Sequence, residues 1–256
     1  MIDYERRADV AWITIDRPER KNALAPSDHR AIAAALERAE TECRVATVTA
    51  TGDDSFCAGS DLDSLREAYA TGDAESLVEA EFALHRRIEG LDVPVIAAVN
   101  GVAYGGGFEL VAACDLAVAA SDATFALPET RLGLTPGYAL DRAVALVGRK
   151  RMLELALTGE PIDAATARKW GLVNRVVERS DLRDSVTDLA STVADAPPHA
   201  ISAVKRTVTE SIRGNVSYQR SVDRLASLLS EAETQARLDE FFDDRESESD
   251  TECGDE

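Results

Sequence analysis

The segment VIAAVNGVAYGGGFELVAACD, residues 95–115, constrains the fold of this chain more than any other. Residues 93–99 are an apolar run without alternation, as expected of a strand buried on both faces. Asn100-Gly101 is a turn pair. Gly105, Gly106 and Gly107 then open a helix carrying Phe108, Leu110 and Val111. A strand that turns through glycines into a helix leaves the first N–H groups of that helix without internal partners. The helix dipole adds positive potential there, and glycine lets a ligand approach the backbone closely. Such an end suits an anion, either a phosphate or a developing enolate oxygen. The nucleotide patterns fail: GxGxxG meets Leu110 at its last position, and GxxxxGK[ST] does not occur.

Strands and helices alternate around this segment. Residues 10–15 alternate weakly and stop at Arg17-Pro18, which predicts a strand ending in a turn. Ser27 is placed to cap a helix running to about residue 40, with Ile32, Ala35, Leu36 and Ala39 on one face. Residues 45–50 and 115–119 read as further strands, and residues 62–90 as helix interrupted at Gly72-Asp73. This alternation predicts an α/β architecture. From about residue 140 the pattern becomes helical, over 144–158, 164–170, 200–212 and 222–242. The expected organisation is an α/β core over residues 1–190, a helical region over 191–242 and a disordered acidic tail over 243–256.

Composition narrows the classes of function. Hydrophobic residues are 45% of the 256, enough for a sizeable core in one large domain, with or without a small appendage. No apolar run is long enough to cross a bilayer, and residues 1–16 contain no signal-peptide core. The cytoplasm is the expected compartment, with no membrane partner. Cys43, Cys57, Cys114 and Cys253 form no CxxC pair, which argues against a zinc site or a disulfide framework. The net charge is -19, and only Lys21, Lys150, Lys169 and Lys205 are lysines. With no basic cluster to neutralise phosphates, nucleic acid is not an expected partner. Arginine in place of lysine on so acidic a chain predicts adaptation to a salt-rich cytoplasm, where screening relieves self-repulsion.

Three places hold candidate chemistry. Glu109 lies three residues after Gly106, on the same helix face and one turn from the exposed N–H groups; a carboxylate there is a candidate acid or base. Residues 55–62, SFCAGSDL, lead from a strand into a helix through small residues and offer a further N–H at Ser60. GxSxG is absent, and Cys57 has no basic neighbour, so it reads as a core residue. Residues 125–137, FALPETRLGLTPG, place Glu129 in a loop rich in proline and glycine. His29, His85 and His199 lie in helical stretches without ligand partners at metal spacing, so each reads as solvated or half-buried and no metal is expected.

Together these segments resemble the crotonase (enoyl-CoA hydratase/isomerase) family. The likeness rests on RPERKNAL at 17–24, SFCAGSDL at 55–62, PVIAAVNGVAYGGGFELVAACD at 94–115, FALPETRLGLTPG at 125–137 and LTGEPIDAATARKWGLVNRVV at 157–177, in that order, and extends to about Arg245. The resemblance implies a spiral of ββα units followed by C-terminal helices that build trimers, often paired into hexamers. It implies an acyl-CoA thioester substrate whose carbonyl lies between the N–H groups of Ser60 and Gly106, with Glu109 and Glu129 as catalytic carboxylates. Ala58, Asp61, Leu62, Gly105, Gly137 and Tyr138 are the implied substrate-lining positions. The family's C-terminal basic pair for the CoA phosphates is reduced here to Arg245, in FDDRE at 242–246, and Lys21, Arg20 and Arg245 are the candidate basic residues for those phosphates. No cofactor is implied, since CoA is part of the substrate. Having both glutamates argues for an enoyl-CoA hydratase over an isomerase, which in this family needs one acid/base. After Gly137 the chain departs from the family, with Tyr138 and Leu140 expected to reshape the acyl pocket. That departure keeps isomerisation, thioester hydrolysis and decarboxylation open, beside a non-catalytic CoA- or RNA-associated protein.

Overall fold

The computed structural model describes the backbone of residues 1–215 and 217–252, with side chains as far as residue 243. It divides into two units, Met1–Asp195 and Ala196–Glu256. The first unit therefore extends past the boundary expected at residue 190. The difference is helix Leu182–Ala194, which the sequence reading did not find.

The first unit begins with the antiparallel strands β1 (Ile2–Arg7) and β2 (Val10–Ile15). A 3-10 turn (Pro18–Arg20) and helix α1 (Pro26–Glu42) follow. Then one plan repeats three times: a strand, a tight turn and a short second strand. The pairs are β3 (Val45–Ala50) with β4 (Ser55–Cys57), β5 (Val95–Val99) with β6 (Val102–Tyr104), and β7 (Leu116–Ala120) with β8 (Thr124–Ala126). Helices α2 (Leu62–Thr71) and α3 (Ala74–Gly90) follow the first pair, and α4 (Gly106–Ala113) follows the second. A 3-10 turn (Glu129–Leu132) and helices α5 (Tyr138–Val147) and α6 (Arg149–Thr158) follow the third. Strand β9 (Ile162–Asp163), α7 (Ala164–Trp170), β10 (Arg175–Val177), a 3-10 turn (Arg179–Asp181) and α8 (Leu182–Ala194) complete the unit.

The first strand of each pair enters a six-stranded sheet ordered β1-β2-β3-β5-β7-β10, and the second enters a four-stranded sheet ordered β4-β6-β8-β9. Successive turns of the chain thus stack in the same order in both sheets, which is the expected spiral of ββα units. Except for β1–β2 and β8–β9, the pairings are parallel. Parallel strands are covered on both faces. In the large sheet, Ala11, Ile13, Ile15, Val48, Ala97, Val99 and Ala119 share one core with Phe56, Phe108 and Phe125. Val10, Trp12, Val45, Ile96, Ala98 and Val118 meet Leu182, Val186 and Leu189 of α8 on the other face. This explains the unbroken apolar run of β5, all five of whose residues are buried.

The second unit contains α9 (Pro198–Ile212), α10 (Tyr218–Leu229) and α11 (Ala232–Glu252). Two expected helices are each corrected to a pair. Residues 144–158 are split at Gly148, whose φ of 82° lies in the left-handed region. Residues 222–242 are split after Leu229 at Ser230 and Glu231. The disordered tail expected from residue 243 is corrected in part, since α11 continues to Glu252. Extending a formed helix fixes one residue per added bond, and glutamate and arginine are good helix formers. The last four positions of the expected tail lie outside the described residues.

Candidate active site

The small sheet delivers two backbone segments to one place. Strand β6 is followed by Gly105, whose φ of 54° and ψ of -123° are open to glycine and strained for other residues. Its N–H donates to Ala126 C=O at 2.9 Å. Gly107 packs so closely on β4 that a β-carbon there would stand 2.0 Å from Cys57 O. The N-terminus of α4 is thereby pressed against the loop after β4. There, Leu24 N–H donates to Gly59 C=O and Asp61 N–H to Leu24 C=O, both at 2.9 Å. Backbone groups alternate in direction along an extended segment, so the intervening Ser60 N–H points away from Leu24. Among the described residues, neither Ser60 N–H nor Gly106 N–H has an acceptor. The two segments touch: a β-carbon on Gly59 would stand 3.4 Å from Gly106 N. One carbonyl oxygen placed between them would receive both N–H groups.

The 17–24 motif holds this loop in place. The Arg17 guanidinium binds Asp28 at 2.7 Å and Asp61 at 3.0 Å. Asp61 also caps α2, accepting from the N–H groups of Asp63 and Ser64. Burial alone would raise the proton affinity of Asp61; the Ser64 N–H and Arg17 outweigh it and hold the carboxyl below its usual range. Asn22 is buried, and its amide donates to Thr51 C=O and Ser55 C=O.

Glu109 is buried in the first turn of α4, where its Oε1 accepts Ala139 N–H at 3.0 Å. Glu129 opens the 3-10 turn after β8, and its Oε1 would lie 3.0 Å from a β-carbon on Gly105. Its Oε2 is buried without a hydrogen-bond partner among the described residues. Both carboxyls are pushed up from the ordinary carboxylate range, chiefly by burial. For Glu109 the negative charge of a third carboxylate, Glu81 on α3, comes next. Glu81 is likewise pushed up by burial. Its Oε1 would lie 2.3 Å from a β-carbon on Gly106. Among the described residues, no lysine or arginine offsets the negative charge of the three.

The other expected positions divide. Ala58 is half-buried, and its N–H donates to Lys21 C=O at 3.1 Å, which brings Lys21, exposed, to the edge of the loop. Leu62 is exposed at the start of α2. Gly137 precedes α5, where a β-carbon would stand 2.4 Å from Phe82 Cζ. Tyr138 is buried: its hydroxyl donates to Glu89 at 2.8 Å and its ring lies 4.6 Å from that of His85. Leu140 is exposed. The segment after Gly137 thus commits its tyrosine to the packing between α3 and α5. Arg20 pairs with Asp63 at 3.0 Å. The side chain of Arg245 lies outside the described residues.

The reading of the histidines is corrected for two of the three. His29 and His85 are buried, and loss of hydration lowers their pKa values to about 4 and about 3. His199 is half-buried and meets Thr234 at 3.0 Å. A ring nitrogen of His85 and carboxyl oxygens of Glu81 and Glu109 lie within 4.8 Å of one another, a donor set that could hold a cation. The Cys57 thiol is pushed up to about 12 by burial, as befits a core residue. Glu81 was missed because Glu75, Glu79 and Glu81 share one polar helix. The one signal was its spacing of four residues from His85.

The family model described as enoyl-CoA hydratase/isomerase matches residues 5–249. A carnitinyl-CoA dehydratase of Salmonella enteritidis is 42% identical over 204 residues, 78% of this chain and 77% of the relative. The crystal structure of an enoyl-CoA hydratase from Bacillus anthracis superposes with a TM-score of 0.87 at 29% identity, covering 95% of this chain and 96% of that one. A Mycobacterium smegmatis enoyl-CoA hydratase gives 0.89 at 29% identity, with the same coverage.

Proposed function

This chain belongs to the enoyl-CoA hydratase/isomerase family, and on that premise we propose that it adds water across the 2,3 double bond of a trans-2-enoyl-CoA thioester. The observation that supports this most is that two carboxylates from different elements, Glu109 in the first turn of the helix opened by Gly106 and Glu129 against Gly105, flank the segment that carries an unpartnered N–H and touches the loop carrying the other, at Ser60. Those N–H groups polarise the thioester carbonyl and stabilise the enolate-like charge as it forms. Glu109 orients and deprotonates the water that attacks the β-carbon, and Glu129 delivers the proton to the α-carbon. In reverse, the same groups remove water from a 3-hydroxyacyl-CoA. Burial raises the proton affinity of both carboxyls, which suits groups that must be acid in one direction and base in the other.

The reaction needs no cofactor or metal, because CoA arrives with the substrate. The C-terminal helices serve trimer formation, with pairing into hexamers. Val204, Val208 and Ile212 form an exposed stripe on α9, and Val222, Leu225 and Leu229 another on α10, which supports that role. No described helix is long and apolar enough to cross a membrane, which accords with a cytoplasmic enzyme. The charge of -19 supports salt adaptation.

The test is hydration of crotonyl-CoA, followed by loss of enoyl absorbance at molar and at low salt, with Glu129→Gln alongside and with chelator present. Turnover that survives the chelator, favours high salt and falls about 100-fold or more in the variant is expected. Release of free thiol would indicate hydrolysis, and no turnover by a folded, CoA-binding protein would sink the hydratase reading for this substrate.

A second reading is the same chemistry on an acyl group bearing a quaternary ammonium, as carried by the substrate named for the Salmonella relative. Three carboxylates whose charge no lysine or arginine among the described residues offsets favour it. Comparing crotonyl-CoA with its trimethylammonio derivative separates the two readings.

A further inference from the structure

We propose that Glu81, His85 and Glu109 form a zinc site, and that zinc bound there takes Glu109 out of the reaction and so inhibits the enzyme. Binding rests on the donor set itself; the inhibition rests on the acid–base role given to Glu109 above.

The donors come from two helices. Glu81 and His85 stand four residues apart on α3 and so share one face of it. Glu109 reaches the same place from the first turn of α4. A ring nitrogen of His85 and a carboxyl oxygen of each glutamate lie within 4.8 Å of one another. Ligand atoms around a tetrahedral zinc are about 3.4 Å apart, given bond lengths of about 2.0–2.2 Å. The terminal torsion of a glutamate is broad, and its rotation closes the difference. His85 lacks any other partner. It is 1% exposed, and its Nδ1 is buried with no hydrogen-bond partner among the described residues. Among those residues no hydrogen bond reaches its other nitrogen either, so the nitrogen that faces the carboxyls does so unpaired. A buried polar nitrogen left unpaired is costly, and a metal ion supplies the missing bond. Outer contacts hold the ligands. Ala139 N–H donates to Glu109 Oε1 at 3.0 Å. The Tyr138 ring lies 4.6 Å from that of His85 and is tied by its hydroxyl to Glu89 at 2.8 Å. Such contacts fix ligand orientation.

The donor types select the metal. One imidazole and two carboxylates suit zinc, whereas magnesium and calcium take oxygen ligands in larger number. Three protein ligands leave a fourth position for water. Gly106 shows where the ion sits. A β-carbon there would stand 2.3 Å from Glu81 Oε1, so the site lies beside the N–H given to the thioester carbonyl. In the hydration direction Glu109 must accept a proton from water. A carboxylate that donates its lone pair to zinc no longer does so. The metal-free enzyme is therefore the active form, and zinc is a reversible inhibitor rather than a cofactor.

The test titrates the full chain, stripped with chelator, with zinc chloride in a calorimeter. Molar salt and excess magnesium keep exposed carboxylates occupied. Wild type is compared with His85→Leu and Glu81→Gln, with circular dichroism to confirm folding. One zinc per chain is expected in wild type, bound at least about tenfold more weakly in each variant. No zinc bound by wild type, or unchanged affinity in either folded variant, would overturn the site. If the variants do not fold, cobalt is substituted in wild type. Intense visible bands of a low-coordinate nitrogen and oxygen site, without a thiolate charge-transfer band, uphold it; a thiolate band or a weak octahedral spectrum overturns it. Hydration of crotonyl-CoA by wild type is expected to fall at least about tenfold as zinc fills the site and to return with chelator. Folded His85→Leu is expected to turn over without zinc and to resist it. Full turnover by zinc-loaded wild type would overturn the inhibition. If metal-free wild type does not hydrate crotonyl-CoA, the hydratase reading fails for that substrate, while the calorimetry still decides the site.

Discussion

Glu129 is set against Gly105, with its Oε1 at 3.0 Å from the place a β-carbon on that residue would occupy. The contact follows from the small sheet. Strands β6 and β8 are neighbours, with Tyr104 opposite Ala126, so the residues just beyond their ends converge. Gly105→Ala would strain the backbone at φ 54° and push against Glu129. We expect kcat/KM for crotonyl-CoA to fall about 100-fold, the cost of an ångström-scale misplacement, with a circular dichroism spectrum close to wild type. An alanine variant of unchanged activity would show that this contact does not position Glu129.

Stability should depend on pH through the buried groups. The Glu109 carboxyl binds its proton more tightly in the folded chain than in the unfolded one, where its pKa is about 4.3. Its contribution is therefore full below that value and is lost as pH rises through the folded pKa. Glu109→Gln removes the loss and keeps an oxygen for Ala139 N–H. The variant should melt at a higher temperature than wild type at pH 8, with the gap closing toward pH 4. His29 and His85 act at the other end. Their lowered folded pKa values, about 4 and about 3, mean that stability is lost as pH falls from about 6.5, where the unfolded histidines begin to bind protons. Melting curves from pH 4 to 9 check both limbs.

Gly137 should govern how α5 meets α3. A β-carbon there would stand 2.4 Å from Phe82 Cζ, so Gly137→Ala must displace the ring or the helix. The displaced helix would carry Ala139 N–H away from Glu109. We expect the alanine variant to lose activity about tenfold or more and the double variant with Phe82→Ala to recover part of it. No recovery would place the defect in the backbone of residue 137.

Arg17 should matter although it lies outside the carboxylate cluster. Arg17→Met leaves Asp28 and Asp61 without their shared cation while preserving much of the side-chain volume. The pair is partly exposed, so a loss of about 1–3 kcal/mol is expected, read as a lower urea midpoint with unchanged slope. Because Asp61 follows Ser60, kcat should fall as well. A destabilised variant of normal kcat would separate the loop's anchoring from its role at the carbonyl.

The sequence by itself determined the elements whose cause is local. The glycines at 105 to 107 open a helix, and the apolar run of 95–99 fits a strand covered on both faces. The ordered motifs carried the resemblance that named Ser60, Gly106, Glu109 and Glu129. Three-residue strands such as β4, β6 and β8 were not legible, since each is held by its neighbours across the sheet rather than by any pattern within itself. Only the tertiary structure decided which glutamate of the polar helix α3 meets Glu109. It also decided that Tyr138 turns to Glu89 and the core, and that His29 and His85 are buried. Each of those outcomes depends on what another element presents across a gap, and proton affinity depends on the burial and charge that meet there.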